Sequence, residues 1–162
     1  EIASVKVKCN VFDTLYNEHV MKGSIMISRI SDKVIWDKFK RASPKNAKNA
    51  IKFTIDGDQL LVYTPDSIVV FNHTLDRTIG VSPWYRHIPE FEDEYAYRKY
   101  VADALRSMLI CRGISQVSLS RRLGISRVGL NRYFNYMYPI PGYLVYKMCQ
   151  EAGILFSDLM YD

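Results

Sequence analysis

The stretch that decides the fold covers residues 113–133 and reads GISQVSLSRRLGISRVGLNRY. Within it Leu119 and Leu123 are four residues apart, so they share one face of a helix. Gly124 follows directly and is expected to turn the chain sharply with a positive φ, which glycine adopts at little steric cost. These spacings predict a short helix that ends at a tight turn.

A second helix is predicted after this turn. Ile125 is expected to fill the core beneath the turn, and Ser126 is expected to cap the new helix with its side-chain oxygen. Leu130 and Tyr133, three residues apart, are predicted to form its buried face. Ser120 is small at the point where the two helices must cross closely. A helix, a three-residue turn and a second helix are the pattern of a helix-turn-helix motif.

The same stretch resembles the helix-turn-helix domains of the lambda-repressor/Cro type, also called the XRE family. The resemblance is carried by Ser115-Gln116, Leu119-Ser120 and the sequence Leu-Gly-Ile-Ser at 123–126. It continues into a first helix that ends near Gly113 and into two later helices, and it covers about 60 residues. It implies an all-α C-terminal domain whose recognition helix, the one after Ser126, lies in the major groove of double-stranded DNA.

The resemblance also implies which side chains meet DNA. Base contacts are expected from the outward positions of the recognition helix, namely Arg127, Val128, Asn131 and Arg132. Arginine can pair with guanine through two hydrogen bonds, asparagine can do so with adenine, and valine can contact the thymine methyl group. An alternative for Asn131 is a purely local hydrogen bond or helix cap.

Phosphate contacts are expected from a second group of side chains. Gln116 resembles the family residue that hydrogen-bonds a backbone phosphate, and Arg112, Arg121 and Arg122 are candidates for further phosphate contacts. Such contacts position a protein on the duplex and make its affinity depend on salt, without reading the sequence. Alternatively, Arg121 and Arg122 are ordinary solvated charges, and some members of this fold bind only proteins.

Two departures from the family pattern concern the recognition helix and the loop after it. Tyr136 stands near the position where the family usually has a glycine, within the aromatic run YFNYMY at 133–138. Gly129 lies in the middle of the recognition helix, where glycine costs about 1 kcal/mol in helix propensity. We interpret the loop as reshaped, and one hypothesis is that it forms a dimer or partner surface.

The net charge of +5 lies entirely in the C-terminal part of the chain. Residues 1–95 carry 13 Lys and Arg against 13 Asp and Glu, whereas residues 96–162 carry 9 against 4. A basic excess confined to one segment is typical of a module that binds phosphates. A basic helical bundle without a nucleic-acid partner would have the same composition.

The N-terminal part is predicted to contain both helices and strands. Strands are predicted at 4–11 and 24–30, a helix begins at Ser31 and ends at Ser43-Pro44, and three short strands follow at 51–55, 60–64 and 67–72. The dipeptide Asp56-Gly57 indicates a hairpin turn between the first two of these. Residues 76–89 are predicted to be a long loop packed by its own aromatic side chains.

The sequence therefore predicts an α+β protein in three parts. Residues 1–90 form a mixed domain with an antiparallel β-meander, residues 91–96 form a linker, and residues 97–162 form the helix-turn-helix domain. The function that follows is a sequence-specific transcriptional regulator, most simply a repressor of a phage or mobile element. It is expected to act as a homodimer, because two half-sites about one helical turn apart require two-fold symmetry.

The role of residues 1–90 stays open between two classes of function. In the first, this domain dimerises the regulator or senses an effector. In the second, it blocks a partner protein while the helix-turn-helix represses the operon, as in antitoxins and anti-CRISPR proteins. The dimer surface is expected either in the N-terminal sheet or on the C-terminal helices, where the candidates are Tyr136, Tyr138, Tyr143 and Leu155.

Other classes of protein are disfavoured by the sequence. It contains no GxGxxG, GxSxG, HExxH or P-loop motif, so no catalytic activity and no cofactor are expected. His19, His73 and His87 are scattered, and Cys9, Cys111 and Cys149 form no CxxC, so no metal site is expected. No apolar run approaches the roughly 18 residues of a membrane span. A reduced, cytoplasmic compartment fits these features best.

Overall fold

A computed structural model describes residues 32–84 and 86–161 of the chain. The chain forms two compact units, Glu1–Asp37 and Lys38–Asp162. In the first unit the described residues, 32–37, are helical, and Lys33 pairs with Asp37 at 3.1 Å. The strands predicted at 4–11 and 24–30, together with Cys9 and His19, lie outside the described residues.

The second unit combines an antiparallel sheet with helices, so the protein is α+β. The helix that covers residues 32–42 is α1, of which residues 38–42 belong to this unit, and α2 is Pro44–Lys48. The strands are β1 (Lys52–Asp56), β2 (Gln59–Tyr63), β3 (Ser67–Asn72) and β4 (Arg77–Pro83), and they lie in the order β1-β2-β3-β4. The remaining helices are α3 (Glu94–Cys111), α4 (Gln116–Leu123), α5 (Arg127–Phe134), α6 (Gly142–Ala152) and α7 (Phe156–Met160).

The meander has four strands where the sequence predicted three. The hairpin at Asp56-Gly57 is confirmed, with Gly57 at φ 60°. Strand β4, however, runs through the predicted loop at 76–89 and pairs with β3, with an irregularity between Val70 and Phe71. Its side chains are almost all exposed, and its apolar alternation is limited to Ile79 and Val81 on either side of a glycine, which is too short to mark a strand in the sequence. Backbone pairing with β3 holds this strand in place.

One face of the sheet packs against the end of α1. Phe39 of α1 is fully buried and meets Phe71 of β3 edge to face, with ring centroids 5.4 Å apart. The register places Leu60 and Phe71 opposite each other, and Val62 and Val69 likewise. These four side chains therefore share the face that Phe39 covers, and all of them are buried.

The sheet also packs against α3 and the C-terminal end of the chain. The backbone N–H of Phe53, on the outer edge of β1, donates to the Ser107 hydroxyl of α3 at 3.2 Å. Lys52 is buried and donates to the Tyr100 hydroxyl at 2.9 Å and to the Tyr161 carbonyl at 2.7 Å. Helix α3 therefore contacts the edge of β1 that faces away from β2.

The stretch 91–96, predicted to be a linker, contains the beginning of helix α3. Helix α3 begins at Glu94, because the Asp93 carboxylate accepts a hydrogen bond from the Ala96 N–H at 2.8 Å and caps the helix. The ring of Phe91 packs edge to face against Tyr97 and Tyr100 of α3. The sheet and the five C-terminal helices accordingly belong to one compact unit, and the chain divides after Asp37.

A single core joins the C-terminal helices. Its centre is the buried face of α3, and helices α4 to α7 add buried side chains from their inner faces. The fully buried members are Leu105, Met108, Leu119, Leu130, Phe134, Met148 and Leu159. Among the described residues, no helix combines the length and the apolar character needed to cross a membrane.

Candidate nucleic-acid interface

Helices α4 and α5 are joined by the three-residue turn that the sequence predicts. The Ser115 hydroxyl accepts from the Ser118 N–H at 3.1 Å and caps α4, and the Ser126 hydroxyl accepts from the Gly129 N–H at 3.0 Å and caps α5. Gly124 ends α4 with φ 70°, as expected. The Ser120 hydroxyl donates to the Ile125 carbonyl, and this hydrogen bond ties the turn to the last part of α4.

The inner face of α5 differs from the prediction by one residue. Leu130 is fully buried as expected, but its partner in the core is Phe134, whereas Tyr133 is only half buried. Residues four apart lie closer to one line along a helix than residues three apart, so Phe134 fits the same buried stripe. The prediction for Tyr133 was therefore wrong, and the helix is rotated slightly relative to it.

The outer face of α5 carries all four side chains predicted to contact bases. Arg127, Val128, Asn131 and Arg132 are exposed, and Val128 is 58% exposed although it is apolar. Val128, Asn131 and Arg132 lie on the side of α5 away from Leu130, and Arg127 is exposed because it is the first residue of the helix. No salt bridge within the described residues involves Arg127 or Arg132. This face can therefore offer two guanidinium groups, an amide and a methyl surface to a ligand.

The predicted phosphate contacts lie on the neighbouring helix and its flanks. Gln116 is the first residue of α4 and is half exposed, beside the unpaired backbone N–H groups of a helix N-terminus. Arg112 is exposed at the end of α3, and Arg121 is exposed in the last turn of α4. Backbone N–H groups and arginines are the donors that bind phosphate oxygens in proteins.

Arg122 differs from Arg121, its neighbour, because it has an acidic partner. Its guanidinium donates to the Glu151 carboxylate of α6 at 2.6 Å, and the two side chains are 52% and 26% exposed. Residues so far apart in the chain gave no sign of this pairing in the sequence. Part of the positive charge of Arg122 is thus neutralised within the protein, and Arg121 is the better candidate for a phosphate contact.

The basic character of this region also comes from missing acidic residues. Residues 104–150 contain seven Lys and Arg and no Asp or Glu. This stretch includes all of α4 and α5 and ends just before Glu151. A surface of one sign attracts ligands of the opposite sign and raises their association rate. The arrangement is chemically suited to bind a polyanion and provides no acid–base pair.

The loop after α5 is held against α3. Tyr136 has φ 66°, a left-handed conformation that is rare for a residue other than glycine. Its hydroxyl donates to the Asp103 carboxylate, and its ring lies under the Lys99 ammonium group at 5.3 Å. Tyr136 is therefore half buried in its own chain, whereas the other proposed dimer residues, Tyr138, Tyr143 and Leu155, are 52%, 68% and 69% exposed.

The two described cysteines are packed among helices. Burial raises the pKa of Cys149 to about 11, and burial also raises the pKa of Cys111 above its usual range. Both thiols are therefore protonated near neutral pH, which makes them poor nucleophiles. Among the residues that the structure describes, no three His, Cys, Asp or Glu side chains cluster closely enough to hold a metal ion.

The fold and this surface define an α+β protein with a basic face on its C-terminal helices. Comparisons with protein-family models, curated protein sequences and solved structures find no match to this chain. The chemistry of the site therefore rests on the residues themselves.

Proposed function

We propose that the C-terminal helices are a helix-turn-helix domain of the lambda-repressor/Cro type and that the protein is a sequence-specific transcriptional regulator. The observation that carries the proposal is the outer face of α5, where Arg127, Val128, Asn131 and Arg132 are all exposed. The serine caps and the positive φ of Gly124 support the same assignment, because they fix α5 relative to α4. A rigid support of this kind is what a base-reading helix needs.

In the proposed mechanism α5 enters the major groove. Arg127 and Arg132 pair with guanines, Asn131 pairs with an adenine, and Val128 contacts a thymine methyl group. Each well-formed bidentate pair discriminates against a wrong base by about 1–3 kcal/mol. This mechanism also accounts for the exposed valine at position 128, because its side chain is removed from water when it contacts a thymine methyl group.

The surrounding donors hold the domain on the DNA backbone. The N-terminus of α4 with Gln116, together with Arg112 and Arg121, is proposed to contact phosphates on either side of the groove. Arg122 contributes less, because Glu151 competes with phosphate for its guanidinium. We expect the protein to bind DNA as a homodimer that spans two half-sites, and to repress transcription by occupying a promoter of a phage or mobile element.

The test is a selection of bound duplexes from a random DNA pool, followed by binding measurements on the enriched sequence and on a scrambled one. The wild type should prefer the enriched duplex. Arg127→Ala should lose most of this preference, because it removes a base contact. Arg121→Ala should weaken binding to both duplexes alike and reduce the slope of log affinity against log salt by about 1, because it removes a phosphate contact.

Two outcomes contradict the proposal. If the full chain fails to bind any duplex at low ionic strength, α5 is not a DNA-reading helix. If Arg127→Ala and Arg121→Ala both lose affinity equally on every duplex, the protein binds DNA through charge alone and the assignment of base contacts is wrong. Circular dichroism of each variant shows whether the fold has been retained, so that a loss of binding is not a loss of structure.

A further inference from the structure

A groove of about 740 Å³ lies among α3, α6 and α7. Its floor is formed by apolar side chains that are buried or half buried, namely Val101, Ile140, Val145, Cys149 and Ile154. Its rim carries exposed apolar side chains, namely Tyr97, Tyr146, Leu155 and Phe156. In the described part of the chain its lining includes no residue of α4 or α5, so the groove is separate from the proposed DNA-reading face.

One cation, Arg98, lines the groove among the residues that the structure describes. Its guanidinium makes two long contacts, each of 3.4 Å, one to the Glu94 carboxylate and one to the Tyr136 carbonyl. Its Nε is buried and has no hydrogen-bond partner. Glu94 is 74% exposed, so water competes for this carboxylate and the pairing is weak. Arg98 therefore retains donor capacity at the edge of an apolar groove.

We propose that this groove binds a small amphipathic carboxylate, that is, a carboxylic acid anion with an alkyl or aryl body. The volume lies within the roughly 300–1,000 Å³ typical of small-molecule sites, which are mostly apolar with a few polar groups that orient the ligand. The apolar body displaces water from the floor around Val145 and Cys149. The carboxylate takes two hydrogen bonds from Arg98, a geometry that a planar guanidinium favours.

The proposal is independent of DNA binding, and it gives the groove a consequence for the rest of the domain. Arg98 holds the Tyr136 carbonyl in the loop that joins α5 to α6. A ligand that draws the guanidinium toward itself weakens this contact. When the ligand binds, we therefore expect the NMR signals of the loop after α5 to shift together with those of the groove residues.

The probes are octanoate and 1-octanol, which share one alkyl chain and differ in charge. Each is titrated into the full-length protein while the methyl resonances of Val101, Ile140 and Ile154 are followed by NMR. Octanoate should bind at least about tenfold more tightly than 1-octanol and shift these methyl groups, since a charge-assisted pair contributes about this much. The backbone amide of Tyr136 should shift in the same titration.

Variants separate the charge from the cavity. Arg98→Gln should reduce octanoate binding to the level of 1-octanol and leave 1-octanol unchanged, whereas Arg77→Gln, which removes an exposed charge on β4, should change neither. Gly142 lines the groove, and a Cβ added there would meet no atom within 4 Å, so Gly142→Leu should fold and, by placing its side chain in the groove, weaken both ligands. This second variant tests the site even if Arg98→Gln does not fold.

Three results would overturn the proposal. Equal affinity for the two probes would show an apolar surface without charge recognition. Shifts confined to residues outside the groove would place the ligand elsewhere. Loss of all probe binding when protein concentration rises, together with dimer formation in sedimentation, would show that a second copy covers the groove. None of these readouts uses DNA, so each is distinguishable from failure of the proposed regulator function.

Discussion

Gly124 and Gly142 differ in backbone conformation, and so in how well each position tolerates a side chain. Gly124 ends α4 at φ 70°, whereas Gly142 begins α6 in the ordinary helical region with open space around it. We predict that Gly124→Ala destabilises the protein by about 1 kcal/mol, because a Cβ is strained in the left-handed region. Gly142→Ala, the matched control, should be neutral or slightly stabilising.

Urea unfolding of the two alanine variants measures this difference. Because the strain belongs to the turn between α4 and α5, Gly124→Ala should also weaken any DNA binding that depends on the position of α5. If both variants have the same unfolding free energy as the wild type, the positive φ of Gly124 is not required by the turn.

Cys149 is a residue whose titration bears on stability. Its pKa rises from the usual 9.0 to about 11 because the thiol is buried. In the unfolded chain the thiol ionises first as pH rises, so the unfolded state binds fewer protons between these two values. We therefore predict that the stability present below pH 9 is lost progressively toward pH 11.

The check compares wild type with Cys149→Ala by urea unfolding near pH 8 and near pH 10. Cys111, whose pKa burial also raises, is present in both proteins and acts on both alike. The free energy of unfolding should fall more steeply in the wild type than in Cys149→Ala. Parallel curves for the two proteins would mean that the thiol ionises as easily in the folded chain as in the unfolded one.

At the scale of elements, the contact between β1 and α3 depends on one buried hydroxyl. The Ser107 hydroxyl accepts from the Phe53 N–H at 3.2 Å and donates to the Ala104 carbonyl at 3.1 Å. We predict that Ser107→Ala destabilises the protein by about 1–3 kcal/mol, because it leaves a buried backbone N–H without this acceptor. Ser157→Ala, at an exposed position of α7, should stay within about 0.5 kcal/mol of wild type.

Thermal unfolding of the two serine variants provides the measurement. Ser107→Gly is a less suitable change, because glycine would also weaken α3 within its helical interior. If Ser107→Ala is as stable as Ser157→Ala, the edge of β1 does not depend on this hydrogen bond, and packing alone joins the strand to the helix.

The elements that the sequence predicts well are those that local chemistry specifies. Ser115, Gly124 and Ser126 define the ends of α4 and α5 through contacts within a few residues, and these ends lie where the sequence places them. Strand β4 was missed because its side chains face solvent and its apolar alternation is limited to Ile79 and Val81. Leu130 was found on the inner face of α5, but the choice between Tyr133 and Phe134 depends on how the helix rotates against its neighbours.

The features that the sequence does not reveal are contacts between distant residues. The Arg122–Glu151 pair joins α4 to α6, and Lys52 donates to the Tyr161 carbonyl, 109 residues further along the chain. Each partner alone looks like an ordinary surface charge or a strand residue. The groove beside Arg98 also depends on how α3, α6 and α7 pack, so no local pattern could indicate it.

At the scale of the whole molecule, distant contacts of this kind join the sheet to the C-terminal helices. The acidic, proline-containing stretch HIPEFEDE at 87–94 looks like a linker in the sequence. In the structure Asp93 caps α3 and Lys52 lies between Tyr63 and Tyr100, with its ammonium group 4.8 Å and 5.0 Å from their rings. The two cation–π contacts offset part of the cost of burying this ammonium group, and its hydrogen bonds to Tyr100 and Tyr161 join β1 to α3 and to the residue after α7. These contacts therefore hold the sheet against the C-terminal helices.

A cooperative unit of this kind makes a prediction for hydrogen exchange in the full-length protein. Under conditions in which exchange reports the opening equilibrium, the slowest amides of β2 and of α3 should share one free energy of opening, because neither element can open while the other keeps its buried face. Ser107→Ala should lower both values by the same amount. If the strands instead exchange through an opening that leaves α3 protected, or if Ser107→Ala lowers only one of the two values, then the sheet and the C-terminal helices unfold separately, and a boundary near residues 91–96 describes the chain better than one after Asp37.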